Sequence, residues 1–133
     1  MPFVLDASIS AAWALTDGFS SLAETAENRL KTDYAVVPAI WWYEIRNLLV
    51  VSERRQRIAE VESAAFLRVL SAYPIRLEPL QPDTDILRIA RLHWLSFYDA
   101  AYLALALRER LPLATLDKRL EAAAAAEGIA LLA

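Results

Sequence analysis

One recurring unit constrains this chain more than any other feature. A short apolar run is stopped by a charged residue or a proline, and a longer stretch with helical character follows. Phe3-Val4-Leu5 stops at Asp6, Tyr34-Ala35-Val36-Val37 is closed by Pro38, Pro74-Ile75-Arg76-Leu77 is a third run, and Pro112-Leu113-Ala114-Thr115-Leu116 stops at Asp117. Short, mostly apolar runs of this kind read as buried strands, since half-exposed strands alternate polar and apolar residues. Helices are predicted over 8–15, 22–31, 39–55, 60–73, 84–95, 96–110 and 118–127. Asp17-Gly18 breaks the first two, Pro79 and Pro82 punctuate the loop before 84–95, and Gly128 suits the position after the last helix. A final strand is expected at 129–132. Strands alternating with helices predict an α/β fold with a central, mainly parallel sheet flanked by helices, residues 1–133 forming a single domain.

Composition narrows the chemistry. With 57% hydrophobic and 23% charged residues the chain is not a disordered one. Two glycines in 133 residues argue against a glycine-rich phosphate loop, and zero cysteines remove disulfides, thiolate metal sites and thiol nucleophiles. The longest charge-free runs, 7–16 and 34–43, are ten residues each. A spanning helix needs about 20. No signal-peptide pattern opens the sequence. The expectation is a cytoplasmic protein with no membrane association.

Four acids occupy unusual places. Asp6 and Asp117 each follow an apolar run at the carboxyl end of a predicted strand, where open parallel sheets place their ligands. The plainer reading of either one is a helix N-cap, since both precede helices. Glu44 has Ile40, Trp41 and Leu48 as helical neighbours and Asn47 beside it. A buried glutamate is rare without a partner or a metal. Asp99 closes Ser96-Phe97-Tyr98-Asp99, a capping-box pattern that is a sufficient structural account by itself. Together the four say more than any one. Close carboxylates repel, a cation resolves the repulsion, and all-oxygen ligands select Mg²⁺ or Mn²⁺ over zinc.

Four segments carry a family resemblance. Phe3-Val4-Leu5-Asp6-Ala7-Ser8, Pro38-Ala39-Ile40-Trp41-Trp42-Tyr43-Glu44-Ile45-Arg46-Asn47, Tyr98-Asp99-Ala100-Ala101-Tyr102-Leu103-Ala104-Leu105-Ala106 and Ala114-Thr115-Leu116-Asp117-Lys118-Arg119-Leu120 resemble, in order, the four motifs of PIN-domain VapC-type toxins. The resemblance implies a PIN-like fold and a Mg²⁺- or Mn²⁺-dependent endoribonuclease, the toxin of a type II toxin–antitoxin pair. It also implies an RNA substrate, inhibition by a VapB-type antitoxin, and a homodimer. It places the metal-binding, catalytic acids at Asp6, Glu44, Asp99 and Asp117. Ser8 and Thr115 match small hydroxyl positions near the metal, and Asn47 matches an amide on the glutamate helix. Some relatives carry a further acid after the last aspartate; Lys118 stands there, which argues for weaker hold on a second metal.

Other residues say less. Without the four acids the net charge of −3 becomes +1, so the fit to RNA is modest. Arg46, Arg54, Arg55 and Arg57 could grip phosphates or simply solvate a helix end. His93, the one histidine, reads as structural or surface. Trp41-Trp42-Tyr43 point in different directions on a helix, which favours packing over base stacking. The apolar faces around 22–30 and 41–51 are candidate dimer surfaces. The alternative to a nuclease is a PIN-like module that binds RNA or protein without cutting.

Overall fold

The computed structural model describes residues 1–15 and 20–133, and the Asp17-Gly18 break lies outside them. Eleven elements follow in the described residues: β1 (Phe3–Leu5), α1 (Ala7–Ala14), α2 (Ser21–Arg29), β2 (Ala35–Val37), α3 (Ile40–Arg54), α4 (Glu60–Ser71), β3 (Ile75–Leu77), α5 (Asp83–His93), α6 (Phe97–Glu109), β4 (Leu113–Ala114) and α7 (Lys118–Ala126). The sheet runs β3-β2-β1-β4, and every pairing is parallel. β1 is therefore central, with Phe3 beside Ala35 on one side and Val4 beside Leu113 on the other. Its three residues are fully buried, as a strand enclosed by neighbours and helices must be.

Edges depart from the expected pattern. β3 is half-exposed, because it closes one side of the sheet and has a single neighbour. There the Arg76 guanidinium lies 3.7 Å from the centre of the Tyr34 ring, covering the edge with a cation. The fourth strand keeps only Leu113–Ala114, and the expected strand at 129–132 contracts to one parallel bridge, Leu113 with Leu131. Backbone bonds from Leu113 to Ala130 and from Leu132 to Leu113 hold it. Gly128, at φ 78°, makes the left-handed turn that brings the chain back after α7.

α6 is the most enclosed helix. Ala100 to Ala106 are all buried, and four of those seven are alanine, which lets neighbouring elements approach closely. The two apolar faces singled out as dimer candidates are largely internal: Ala23, Ala26, Leu30, Trp41, Ile45 and Leu49 belong to the buried set of this chain. Among the described residues no helix is long and apolar enough to cross a membrane.

The strand order positions the site. The chain steps outward from β1 to β2 to β3 and then returns to lay β4 on the other side of β1. The chain leaves β1 into α1 and β4 towards α7 at the carboxyl ends of two neighbouring strands, the place where open parallel sheets hold their ligands. Truncation inside the core should be costly and truncation at the surface should not. Leu105→Ala, at a fully buried α6 position, is expected to lose about 2–5 kcal/mol in urea unfolding. Val61→Ala, at 73% exposure, should stay within about 0.5 kcal/mol.

Candidate active site

Asp6 sits directly after β1 and is 5% exposed. Its Oδ2 accepts hydrogen bonds from Ser8 Oγ at 2.6 Å and from Thr115 Oγ1 at 2.7 Å. Ser8 Oγ accepts from the Leu116 N–H at 2.9 Å, and Thr115 Oγ1 accepts from the Asp117 N–H at 3.0 Å. The two hydroxyl oxygens are also 3.4 Å apart. Each hydroxyl has one proton, and both are committed to Asp6, so that contact is proximity and not a further bond. The N-terminal end of α1 and the segment after β4 are thereby tied together through a single carboxylate oxygen.

The N-cap reading divides between the two aspartates. Asp117 is a cap: its Oδ1 accepts from Arg119 N at 2.9 Å and Leu120 N at 3.2 Å. Asp6 stands at the cap position of α1, yet its side chain makes no capping bond. Asp99, in the first turn of α6, donates its N–H to Ser96 Oγ at 3.0 Å, one half of the capping box.

Glu44 is half-buried and not enclosed, because α3 carries it to the rim of a groove shared with Ser8, Asn47 and Leu48. The Tyr102 hydroxyl donates to its Oε1 at 2.7 Å. Tyr102 is fully buried on α6, one turn after Asp99, and was not singled out in the sequence. The available signal was a phenol within an otherwise aliphatic stretch, since a buried hydroxyl finds a partner.

Three of the acids are held above the ordinary carboxylate range. For Asp6 burial is the main cause, opposed by the Ser8 and Thr115 hydroxyls. For Glu44 burial leads again, opposed by the Tyr102 bond and reinforced by the charges of Asp6 and Asp99. For Asp99 burial is followed by the charges of Asp6 and Asp117. Tyr102 is pushed up as well, by burial and then by the charges of Glu44 and Asp6. Glu44 is thus coupled to Asp6 and Asp99, and Asp99 to Asp6 and Asp117. Among the described residues no ion pair joins any of them to a lysine or arginine.

That donor set fits a hard divalent cation: four carboxylates, desolvated or mutually repelling, with no protein cation among them. Among the described residues no three such side chains are placed closely enough to hold a metal ion by themselves. Mg²⁺ commonly takes one or two protein carboxylates and completes its shell with water and phosphate, so an open acidic crevice suits it.

The remaining candidates lie apart from the crevice. Arg46 stacks on Trp42 at 4.1 Å and donates to the Trp42 carbonyl. Arg54, Arg55 and Arg57 are exposed at the far end of α3; ten residues of helix place Arg54 about 15 Å along the axis from Glu44. His93 Nε2 lies 2.7 Å from Glu127 Oε2, joining α5 to the end of α7, a structural role. The aromatic triplet splits: Trp41 is core, its Nε1 donating to Ser10 Oγ at 3.1 Å, whereas Tyr43 is 64% exposed.

Fold and site together define an α/β domain with an acidic crevice at the switch point of a parallel sheet. The chain belongs to the PIN domain family, whose model matches residues 3–126. Among solved structures, PAE2754 from Pyrobaculum aerophilum is 27% identical with a TM-score of 0.70, covering 92% of this chain and 79% of that one. VapC20 of Mycobacterium tuberculosis, described as a sarcin-ricin loop cleaving toxin, is 16% identical with a TM-score of 0.56, covering 92% and 95%. At that identity the likeness is one of fold. Comparison with curated proteins gave no match.

A carboxyl group whose folded pKa is raised holds its proton more tightly than in the unfolded chain. Stability therefore falls as pH rises from the ordinary carboxylate value through the folded one, and the penalty persists at neutral pH. Glu44→Gln keeps an oxygen to accept from Tyr102 and removes the charge. In metal-free buffer at pH 7 it should raise Tm by a few degrees in a thermal melt, with the gain vanishing near pH 4. A lower Tm at pH 7 would contradict the electrostatic account.

Proposed function

We propose that this chain is a metal-dependent endoribonuclease and the toxin of a type II toxin–antitoxin pair, with residues 1–133 working as one PIN domain in the cytoplasm. The observation that carries the reading is electrostatic: Glu44 feels the charges of Asp6 and Asp99, Asp99 feels those of Asp6 and Asp117, and among the described residues no ion pair joins any of the four to a lysine or arginine. Membership of the PIN family and likeness in fold to an RNA-cleaving toxin support it.

Asp6, Glu44, Asp99 and Asp117 would hold Mg²⁺ or Mn²⁺. Such an ion, when bound, supplies a water of lowered pKa and offsets charge on the scissile phosphate. The chain's own part is positioning. Ser8 and Thr115 hold Asp6 by Oδ2, which fixes the orientation of its carboxylate. Tyr102 does the same for Glu44 by taking Oε1. Asp117 commits Oδ1 to the start of α7 and keeps Oδ2 for the crevice. Asn47, on the groove beside Glu44, can donate to a phosphate oxygen. No side-chain nucleophile is required.

A VapB-type antitoxin would silence the site by meeting the carboxylates with an arginine, which matches them bidentately. A homodimer would use exposed apolar residues rather than the internal faces of α2 and α3; Leu92 and Trp94, 60% and 84% exposed at the end of α5, offer such a surface.

Purified protein should cut RNA in Mg²⁺ or Mn²⁺ and lose that activity in EDTA. Asp6→Asn and Asp99→Asn should abolish cutting while circular dichroism stays unchanged. Thr115→Val, which removes one of the two donors to Asp6, should lower the rate roughly 10- to 100-fold, the usual effect of losing a partner of a metal ligand. Full cleavage by Asp6→Asn would end the nuclease reading. RNA binding without cleavage by the unmodified chain would leave a binding module in its place.

A further inference from the structure

Resting on the nuclease reading, we propose that an apolar pocket beside the acidic crevice receives one unstacked base of the RNA strand and prefers guanine. The pocket, about 640 Å³, lies where the start of α3, the β3–α5 loop and the start of α6 meet. It begins within one residue of two of the acids: Tyr43 precedes Glu44 on α3, and Tyr98 precedes Asp99 on α6. Both tyrosines are exposed, at 64% and 56%, so neither is explained by core packing. Exposed aromatic faces beside a cleavage site are what stack unpaired bases.

The polar groups of the pocket set its preference. Gln81 lines it, and its Nε2 donates to the Pro79 carbonyl at 2.6 Å. That carbonyl can only accept, so the amide orientation is fixed. Gln81 Oε1 is left buried without a hydrogen-bond partner among the described residues. Asp83, the first residue of α5, brings a carboxylate to the same wall. The wall therefore offers the Asp83 carboxylate directly and the Gln81 oxygen once that side chain turns. Guanine alone among the four bases carries two adjacent donors, N1–H and N2–H₂, on its Watson–Crick edge. An apolar side chain from a protein partner would fill the space and leave the buried Gln81 Oε1 still unpaired, which is unfavourable for a buried polar group. A small rotation of the Gln81 side chain is needed to bring Oε1 to the base.

The test uses short oligouridines bearing one guanine, one adenine or one abasic site, with binding followed in EDTA by fluorescence anisotropy and cut positions mapped in Mg²⁺. The guanine oligomer should bind roughly tenfold tighter than the abasic one, the scale of one stacked base, and cuts should fall beside the guanine. Tyr98→Phe should keep the preference and Tyr98→Leu should lose it. Gln81→Leu should remove discrimination of guanine from adenine while both still bind better than the abasic oligomer. Equal binding of all three oligomers overturns the proposal, and if cutting persists the nuclease reading survives it. Guanine preference without cutting would uphold the pocket and end the nuclease reading. If Tyr98→Leu alters the sedimentation of the protein alone and leaves oligonucleotide binding unchanged, the face belongs to a second copy of the chain, and the proposal fails.

Discussion

The structure turns on one carboxylate oxygen. Asp6 Oδ2 takes the protons of Ser8 and Thr115, and those hydroxyls in turn accept the backbone N–H groups of Leu116 and Asp117. A buried acid without partners is costly, so this clasp is what permits a charge at the end of the central strand. It also fixes where the segment after β4 must run, and through Asp117 it sets the first turn of α7. The parallel order β2-β1-β4 and the clasp reinforce one another: the strand order brings Thr115 to Asp6, and the bonds hold that order at its open end.

The clasp fixes the Asp6 carboxylate through one of its two oxygens. The same hold recurs at Glu44, where Tyr102 takes one oxygen, and at Asp117, where the helix takes one. Burial first, and then the charges of their acidic neighbours, keep Glu44 and Asp99 above their ordinary range. A site of this kind trades stability for affinity toward a cation, since the folded chain carries charges that only a ligand can balance. The neighbouring pocket extends the same logic to recognition: its orphaned acceptor on Gln81 awaits a donor.

Much of the architecture was legible in the chain because burial on both faces leaves few ways to write a strand. Phe3-Val4-Leu5 between Pro2 and Asp6 announces a central strand, and the helices after it follow from periodicity and from stops such as Gly128. The edges were less legible. β3 looks like an interior strand in sequence and is half-exposed, and the run at 129–132 yields one bridge, since edge position and the number of partners are properties of the assembled sheet. Glu44 looked enclosed from its helical neighbours and sits at a groove rim, because neighbours along a helix do not report what lies across from it.

By itself, the sequence determined the alternation of strands and helices, the acids at the strand ends, and the exclusion of thiol and glycine-loop chemistry. These are local facts, set by hydrophobic period, residue type and chain punctuation. Only the tertiary structure decided which hydroxyls serve which acid. Tyr102 reaches Glu44 across 58 residues and Thr115 reaches Asp6 across 109. It also decided that Asp117 is a cap while Asp6 is not, and that Tyr43 and Tyr98 face the same pocket as Gln81. The physical reason is one of range: period and propensity act within a few residues, whereas burial, hydrogen bonding and charge act across whatever the fold brings together.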